Sequence, residues 1–493
     1  MKRLIAISLF MWCALSATAG MPEPAALDAR RCDSRLESTM VCYRDAVERQ
    51  PLVYEQTGTA TIAGVERRSY RMTSQNWSPE QLVTPAAWQH TVAIYVPENP
   101  LPRRALLIST NGTRLPLDGP ALPDSELSPE SVAAIASRTR TVVIVLNDIP
   151  NQYLTYTDDG KARREDDSVA HTWALFLQSP GRREALPLHV PMAAALSRAM
   201  TLAERELASL NIHRFILAGA SKRGWASWHA LVADPRVDAV VPFVIDILDM
   251  QNVLAHIYRT YGQNWPRALN AYYGEGVLEK IETPEFSMLA QIQDPLNQLG
   301  TSRHERLQVP KYIVNASGDD FFVPDGSHFY YGKLPGIKSL RMVPNSSHYD
   351  IRSVAGDSLI TFVNRLQGGQ ALPEMHDWLR NENGHTSIRL WSSERPSRVL
   401  LWSATNPVAR DFRYACGIRY SSMPVPLGDS SVMQVAVQVP TVGWTAYFVE
   451  ATYADGYVAT SQAYVLGEQG YPSHAPPGDQ ARCTTLAGRG LGH

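Results

Sequence analysis

Short apolar runs alternate with helical patterns through the middle of this 493-residue chain, and this alternation limits its possible folds more than any other feature. Several runs are continuous stretches of Val, Ile and Leu, which is typical of parallel strands that are covered on both faces. We predict strands at residues 90–96, 105–109, 141–146, 214–218, 239–245, 311–315 and 339–343. Because helical patterns separate these strands, the sequence predicts an open α/β domain on a mostly parallel sheet.

Two segments depart from this alternation. Residues 247–309 are rich in Tyr, Asn, Gln and Trp and predict short helices, which would form a cap when inserted between core strands. From residue 372, short alternating strands separated by Pro, Gly and Ser are typical of a β-sandwich. We therefore expect a main domain at 20–371, which includes the cap, and a C-terminal β-sandwich domain at 372–493.

The N-terminus has the pattern of an export signal. Lys2 and Arg3 precede an apolar run, and small residues follow it up to Ala19. We predict a signal peptide at 1–19, cleavage near Ala19, and a periplasmic or secreted protein. The apolar run is too short to cross a bilayer comfortably, so no stable membrane insertion is expected.

The charge balance excludes one class of partner as a default. The chain has 46 Lys and Arg against 48 Asp and Glu, a formal charge of −2. Nucleic-acid-binding proteins concentrate basic residues on one face, so this composition gives no reason to expect a nucleic-acid partner. The sequence leaves the oligomeric state open.

Four cysteines remain after removal of the signal. An even number in an exported chain predicts two disulfides, with three possible pairings. We favour Cys32–Cys42 and Cys416–Cys483, because each pair lies within one predicted unit of the chain. Zinc is the competing interpretation, but the chain has neither CxxC nor HxxxH pairs beside these cysteines, and we expect no metal and no cofactor.

The sharpest motif is the segment 216–225, which reads Ile-Leu-Ala-Gly-Ala-Ser-Lys-Arg-Gly-Trp. A buried strand ends in small residues, Ser221 follows, and a helix begins at once. This is typical of a nucleophile elbow, in which a strained turn exposes the serine hydroxyl. The spacing is irregular, because Arg223 fills the second small position of G-x-S-x-G and Gly224 comes one later. A serine that only caps the helix is the alternative.

An acid and a histidine follow the last two predicted strands. The order Ser221, Asp319, His348 is the order of the α/β-hydrolase fold. His348 would take the proton of Ser221, and an aspartate would orient the imidazole. We favour Asp319 because it directly follows Gly318, and we keep Asp320 as the alternative acid because its D-x-x-V-P spacing is common in hydrolases.

Residues around these three have further predicted roles. The backbone amide of Lys222 and the loop of Asn111 and Gly112 are the candidate oxyanion donors. Arg223 is expected either to bind an anionic substrate or to form a buried structural pair. The mixed charge run at 158–167 predicts a solvated loop.

These motifs resemble those of the PhoPQ-activated pathogenicity-related proteins, a family of exported α/β-hydrolase-like proteins. The resemblance spans about residues 40–470 and is carried by Gly-Ala-Ser-Lys-Arg-Gly-Trp at 219–225, Gly-Asp-Asp-Phe-Phe at 318–322, Pro-Asn at 344–345 and Gly-Trp-Thr-Ala at 443–446. It implies a triad of Ser221, Asp319 and His348, and a link to virulence or envelope stress. The family usually has Glu where Asp320 stands, which favours Asp319 as the acid.

We therefore expect an exported serine hydrolase that cleaves an ester or amide through an acyl-enzyme intermediate. Its substrate would be a small-molecule, peptide or glycan ester. The alternative is a non-enzymatic secreted factor that uses the hydrolase scaffold for binding or signalling.

Overall fold

The computed structural model describes residues 35–113, 127–428, 430, 432–467, 470–478 and 481–492. The predicted signal peptide at 1–19 lies outside the described residues. The described residues form nine α-helices, namely α1 (Thr39–Glu48), α2 (Pro129–Thr139), α3 (Glu165–Leu177), α4 (His189–Glu206), α5 (Lys222–Ala233), α6 (Met250–Thr260), α7 (Asn270–Gly274), α8 (Pro284–Gln293) and α9 (Arg352–Gln367). Within these ranges, no helix has both the length and the apolar character that crossing a membrane requires.

The strands of the described residues, in chain order, are β1 (Val53–Ile62), β2 (Val65–Asn76), β3 (Val83–Thr84), β4 (Ala87–Val96), β5 (Arg104–Ser109), β6 (Val142–Leu146), β7 (Leu154–Tyr156), β8 (Ala162–Arg163), β9 (Arg214–Ala220), β10 (Val237–Phe243), β11 (Asn264–Pro266), β12 (Lys311–Ala316), β13 (Lys338–Val343), β14 (Met375–Glu382), β15 (His385–Ser392), β16 (Arg398–Asn406), β17 (Ser421–Pro424), β18 (Val432–Val437), β19 (Trp444–Thr452), β20 (Val458–Thr460), β21 (Tyr464–Leu466) and β22 (Thr485–Ala487). All seven strands predicted for the α/β part are present.

The central sheet has nine strands in the order β1-β2-β4-β6-β5-β9-β10-β12-β13. From β6 to β13 every neighbouring pair is parallel, whereas β4, β2 and β1 extend the sheet in antiparallel pairs. With its strand-to-helix turn at Ser221, this sheet has the α/β-hydrolase fold, and the predicted fold class is confirmed. The hairpin of β1 and β2 was not predicted, because nearly all of β1 is exposed and its sequence is mostly polar.

Both faces of the central sheet are covered, which explains the continuous apolar runs. In β5, Ala105 and Leu107 belong to the same core as α4 and α5. Leu106 and Ile108 point the other way, into the core that contains α2 and α9. Since alternate residues of a strand face opposite sides, a strand covered on both faces needs apolar residues at every position.

Two antiparallel sheets follow the central sheet along the chain. One has the order β14-β15-β18 and the other β17-β16-β19-β20, with β21 paired to β19. Ile388 of one sheet and Val449 of the other belong to a single core, as a sandwich requires. This core extends to the central sheet, where the Tyr312 hydroxyl donates to the carbonyl of Val458 at 2.6 Å.

The last described strand returns to the cap. β22 pairs with β11, which lies between β10 and β12 in the segment that the sequence predicts as a cap. The predicted division at residue 371 does not anticipate this pairing. The domain boundaries themselves stay predictions.

Candidate active site

Ser221 lies at the junction of β9 and α5, at the carboxyl end of a central strand. Its φ of 55° and ψ of −128° lie outside the regions that L-residues usually occupy. Its N–H donates to the carbonyl of Phe243 at 2.8 Å, which ties the turn to the neighbouring strand β10. Within the described part of the chain, its side chain makes no capping hydrogen bond to α5. The backbone geometry is that of a strained turn that projects a side chain into the cleft above the sheet.

Two glycines explain the irregular spacing of the serine motif. A Cβ on Gly224 would lie 2.6 Å from the carbonyl oxygen of Gly219 and 3.1 Å from the Ile245 side chain. A Cβ on Gly219 would lie 2.7 Å from both the Ser109 hydroxyl oxygen and the carbonyl carbon of Arg223. Gly224 therefore permits the close packing of strand and helix from one position later than in G-x-S-x-G.

His348 lies in the loop after β13 and is held by Asp319, which follows β12. Its Nδ1 lies 2.9 and 3.0 Å from the two carboxylate oxygens of Asp319. The Asp319 carboxylate also accepts the backbone N–H groups of Phe321 at 2.8 Å and Phe322 at 3.2 Å. Both members of the pair are buried. With Nδ1–H donating to the carboxylate, Nε2 is the ring atom that can accept a proton.

Two other carboxyl groups lie beside this pair. The Asp320 carboxylate accepts the backbone N–H of His348 at 3.4 Å, so it meets the main chain of that residue. Burial, and then the charge of Asp319, raises the pKa of Asp320. Asp246 accepts a hydrogen bond from the Tyr330 hydroxyl, and burial raises its pKa to about 7, with a further contribution from Asp319. Sequence reasoning did not single out Asp246.

Ser221 and His348 line the same cleft, which has a volume of about 320 Å³. Among the described residues, no hydrogen bond joins the serine hydroxyl to the imidazole. In unliganded enzymes such bonds are often long and tighten only when substrate is bound. The Phe321 ring lies 4.6 Å from the imidazole, centroid to centroid, and covers it on one side.

The predicted oxyanion donors come from the start of α5 and from the loop after β5. Lys222 is the first residue of α5, so its N–H is one of the helix-terminal donors that lack a partner within the helix. Asn111, at the end of β5, lines the same cleft. Gly112, the next residue, is closely packed. Its carbonyl accepts a hydrogen bond from the Gln152 side chain at 2.6 Å, and a Cβ added to Gly112 would lie 2.3 Å from the Asp148 carboxylate.

The side chains of Lys222 and Arg223 are paired with acidic groups of α3. Lys222 Nζ lies 2.9 Å from Glu165 and 3.1 Å from Asp166. Arg223 contacts the Glu165 carboxylate and donates to the carbonyl of Ile149 at 2.6 Å. Burial alone would raise the pKa of Glu165, but the charges of Arg223 and Lys222 outweigh it and hold that pKa well below its ordinary range.

These contacts test the prediction of a solvated loop at 158–167 and one of the two roles predicted for Arg223. Glu165 and Asp166 belong to the charge run that the sequence predicts as a solvated loop; for these two residues the prediction is wrong, because they begin a helix and bind Lys222. Arg223 has the contacts of the buried structural pair, the second of its two predicted roles. Its role in binding substrate stays a prediction.

A second, apolar cavity adjoins Ser221 beneath the inserted segment between β10 and β12. Ser221, Lys222, Asp166 and Phe321 line both this cavity and the cleft. The remaining lining residues are aromatic or aliphatic: Trp173, Trp225, Ile245, Ile247, Leu254, Ile257, Leu269, Tyr272, Val277, Leu278, Phe286 and Phe322. The sequence did not predict this cavity. The aromatic content of the inserted segment is the one signal that pointed to it.

The C-terminal region supports the loops that carry Asp319 and His348. The Tyr414 N–H donates to the carbonyl of Gly318 at 3.0 Å, and a Cβ on Gly318 would lie 2.6 Å from that nitrogen. The Asn345 side chain exchanges hydrogen bonds of 2.9 and 2.7 Å with the backbone of Tyr420. The sequence did not predict these contacts, because about seventy or more residues separate the partners.

Cys416 and Cys483 form a disulfide, which is the pairing that the sequence favoured. It links the segment beside the Asp319 loop to the tail that contains β22. Cys32 lies outside the described residues, and among the described residues Cys42 has no disulfide partner. The Cys32–Cys42 pairing therefore stays a prediction.

One group of described side chains lies close enough together to contact a single cation, namely Asp158, Asp159 and His171. Atoms of this group that could bind a cation already have partners. His171 Nε2 lies 3.2 Å from Asp158, and Arg163 contacts Asp159 at 2.6 Å. An arginine at this position disfavours a bound cation.

The chain is similar to known proteins in sequence and in structure. The family model described as PhoPQ-activated pathogenicity-related protein matches residues 40–413. Autocrine proliferation repressor protein A of Dictyostelium discoideum is 32% identical over 424 residues, which cover 80% of this chain and 82% of that protein. Acetyl xylan esterase 1 from Thermoanaerobacterium sp. is similar in structure, with 14% identity, a TM-score of 0.44, and coverage of 68% of this chain and 94% of that chain. For a glucuronoyl esterase from Solibacter usitatus the identity is 16%, the TM-score 0.36, and the coverage 64% and 86%.

Proposed function

The chain belongs to the PhoPQ-activated pathogenicity-related protein family, and for this member we propose a serine hydrolase that cleaves an ester or amide through an acyl-enzyme intermediate. The observation that carries the proposal is the contact of His348 Nδ1 with Asp319 at 2.9 Å, in a cleft that also contains the strained Ser221. A nucleophile, a base and an acid that orients the base are the minimum set for such chemistry.

The proposed reaction begins when Ser221 Oγ attacks the substrate carbonyl carbon. As the O–C bond forms, the hydroxyl proton moves to Nε2 of His348, and Asp319 stabilises the resulting imidazolium. The Lys222 N–H and the Asn111 loop donate hydrogen bonds to the oxyanion. The tetrahedral intermediate then breaks its bond to the leaving group, which takes the proton from Nε2. Water, activated by the same imidazole, releases the acyl group and restores Ser221.

We also propose that this chemistry takes place after export. The support is the signal pattern at residues 1–19 and the disulfide between Cys416 and Cys483. Structural disulfides form and persist in oxidising compartments such as the periplasm.

A non-enzymatic signalling role is the second candidate. It is favoured by the name of the Dictyostelium relative, which describes a repressor of proliferation. In that case the Ser221 hydroxyl would be dispensable for the cellular effect.

Hydrolysis of 4-nitrophenyl esters by purified mature protein tests the first candidate. Ser221→Ala should abolish the activity, whereas Ser397→Ala, at an exposed serine whose hydroxyl donates to the carbonyl of Thr452, should leave it unchanged. Equal activity of wild type and Ser221→Ala, in folded protein, would refute the hydrolase mechanism. A cellular effect retained by Ser221→Ala would instead favour the signalling role.

A further inference from the structure

The two cavities that meet at Ser221 differ in chemistry. The apolar cavity has a volume of about 40 Å³. At roughly 10–15 Å³ for each water-sized or methylene-sized group, it accommodates about three of them. The cleft is larger, about 320 Å³, and has polar side chains and the imidazole in its wall.

The position of His348 decides which part of a substrate occupies each side. His348 lines the cleft, and the apolar cavity is lined without it. Because the imidazole must protonate the departing oxygen or nitrogen, the leaving group must lie in the cleft. The acyl group bonded to Ser221 would then extend into the apolar cavity, which Trp225, Phe286 and Val277 line.

The ionic groups of the apolar cavity are already neutralised. Asp166 lies 3.1 Å from Lys222 Nζ and accepts the Tyr272 hydroxyl at 3.1 Å. An apolar acyl group in this cavity would therefore contact no unpaired charge of these side chains. Its transfer from water becomes more favourable with each methylene that is buried.

Among the described residues, the lining of the cleft carries more positive than negative side chains. Four cationic side chains (Arg164, Lys222, Arg223, Arg352) and two anionic ones (Glu165, Asp166) line it. Lys222 and Arg223 are paired with these two acids. Within the described residues, neither Arg164 nor Arg352 has a carboxylate within 4.0 Å: Arg164 lies over the Tyr153 ring and Arg352 donates to the carbonyl of Tyr349. Two arginines that have no carboxylate partner among the described residues therefore line the cleft in which the leaving group would lie.

Building on the proposed function, we propose that the substrate is an ester of a short apolar acyl group, of about four carbons, with a leaving group that carries an anion. The carbonyl carbon lies at Ser221, and three further carbons fill the apolar cavity. Arg164 and Arg352 bind the anion of the leaving group. The overall charge of −2 gives no long-range attraction for an anion, so the recognition is local.

The acyl part is tested with 4-nitrophenyl esters of increasing chain length. The value of kcat/KM should rise about fourfold per methylene from acetate to butyrate, roughly 15-fold in all, and fall for octanoate. Val277→Phe should shift the preference to acetate, and Phe286→Leu should shift it to longer chains. Val408→Phe, at an exposed position, is the matched control and should leave the profile unchanged. A flat profile, or one that rises through octanoate, would overturn the acyl assignment.

The leaving-group part is tested with a pair of butyrate esters that differ in one charge, those of 4-hydroxybenzoate and 4-hydroxybenzamide. Arg164→Gln and Arg352→Gln should each lower kcat/KM for the anionic ester about three- to fivefold and leave the neutral ester unchanged. Added salt should reduce the same preference. Arg71→Gln, at an exposed pair on β2, is the control. Equal losses on both esters, or none on either, would overturn the anion assignment.

Labelling with a small fluorophosphonate separates this inference from the proposed function. If Ser221 forms no adduct, the hydrolase proposal itself fails. If Ser221 is labelled but the ester profiles are flat, only the substrate assignment fails.

Discussion

Asp319→Asn is the substitution that most sharply tests how His348 is held. The His348 Nδ1 lies 2.9 and 3.0 Å from the two Asp319 oxygens, so the carboxylate accepts the Nδ1 proton. An asparagine can present its amide N–H at this position, which would leave the imidazole proton on Nε2. That tautomer cannot accept the Ser221 proton. In a serine protease the equivalent change lowers kcat about 10⁴-fold. We expect a loss of about 10³–10⁴-fold here, or about 4–5.5 kcal/mol of barrier.

Asp320→Asn is the matched control, because the two carboxylates are adjacent and both are buried. Asp320 contacts the backbone N–H of His348 at 3.4 Å. We expect its substitution to change kcat by less than about tenfold, since a single hydrogen bond contributes about 1 kcal/mol. The assay is the initial rate on 4-nitrophenyl butyrate, with thermal unfolding to confirm that both variants fold. If Asp320→Asn loses as much activity as Asp319→Asn, Asp319 is not the specific partner that orients His348.

Three further predictions concern stability. Gly224→Ala should lower the free energy of unfolding in urea by about 1–3 kcal/mol, because its Cβ would overlap the facing strand; Gly274→Ala, with no atom within 4 Å of the added carbon, should change it by less than about 0.5 kcal/mol. Glu165→Gln should cost about 3 kcal/mol, because it removes the carboxylate that the buried Lys222 and Arg223 share, whereas Glu55→Gln at an exposed pair should cost at most about 1 kcal/mol. Asp246, with a pKa of about 7 in the folded state against about 3.9 unfolded, binds its proton more tightly when folded. Stability should therefore fall as the pH rises from 5 to 7, by up to about 1.4 kcal/mol per unit, and Asp246→Asn should remove this fall. Equal slopes in wild type and variant would contradict the last prediction.

The sequence was most informative where function and fold depend on short segments. The seven buried strands could be predicted because strands covered on both faces require continuous apolar runs. The positions of Ser221, Asp319 and His348 at or after the ends of three of these strands could be predicted for the same reason. The misplaced Gly224 looked like a departure from the serine motif. The structure gives its physical reason, which is the contact of helix and strand at that glycine.

Contacts between distant segments could not be predicted. Glu165 and Asp166 looked like part of a solvated charge run because their partner Lys222 lies more than fifty residues away. The pairing of β22 with β11 joins segments more than two hundred residues apart, and β22 is only three residues long. A short strand carries too little periodicity to be recognised. The apolar cavity likewise depends on side chains from several helices, none of which is diagnostic alone.

The proposed mechanism requires Ser221 to be an activated nucleophile. The most direct measurement is the mass of the peptide that contains Ser221 after treatment of the purified protein with a fluorophosphonate. We expect a covalent adduct on Ser221, formed at a rate that falls at least 100-fold in His348→Ala and Asp319→Asn. An unmodified Ser221 in folded wild-type protein, or an adduct that forms equally fast in both variants, would contradict it.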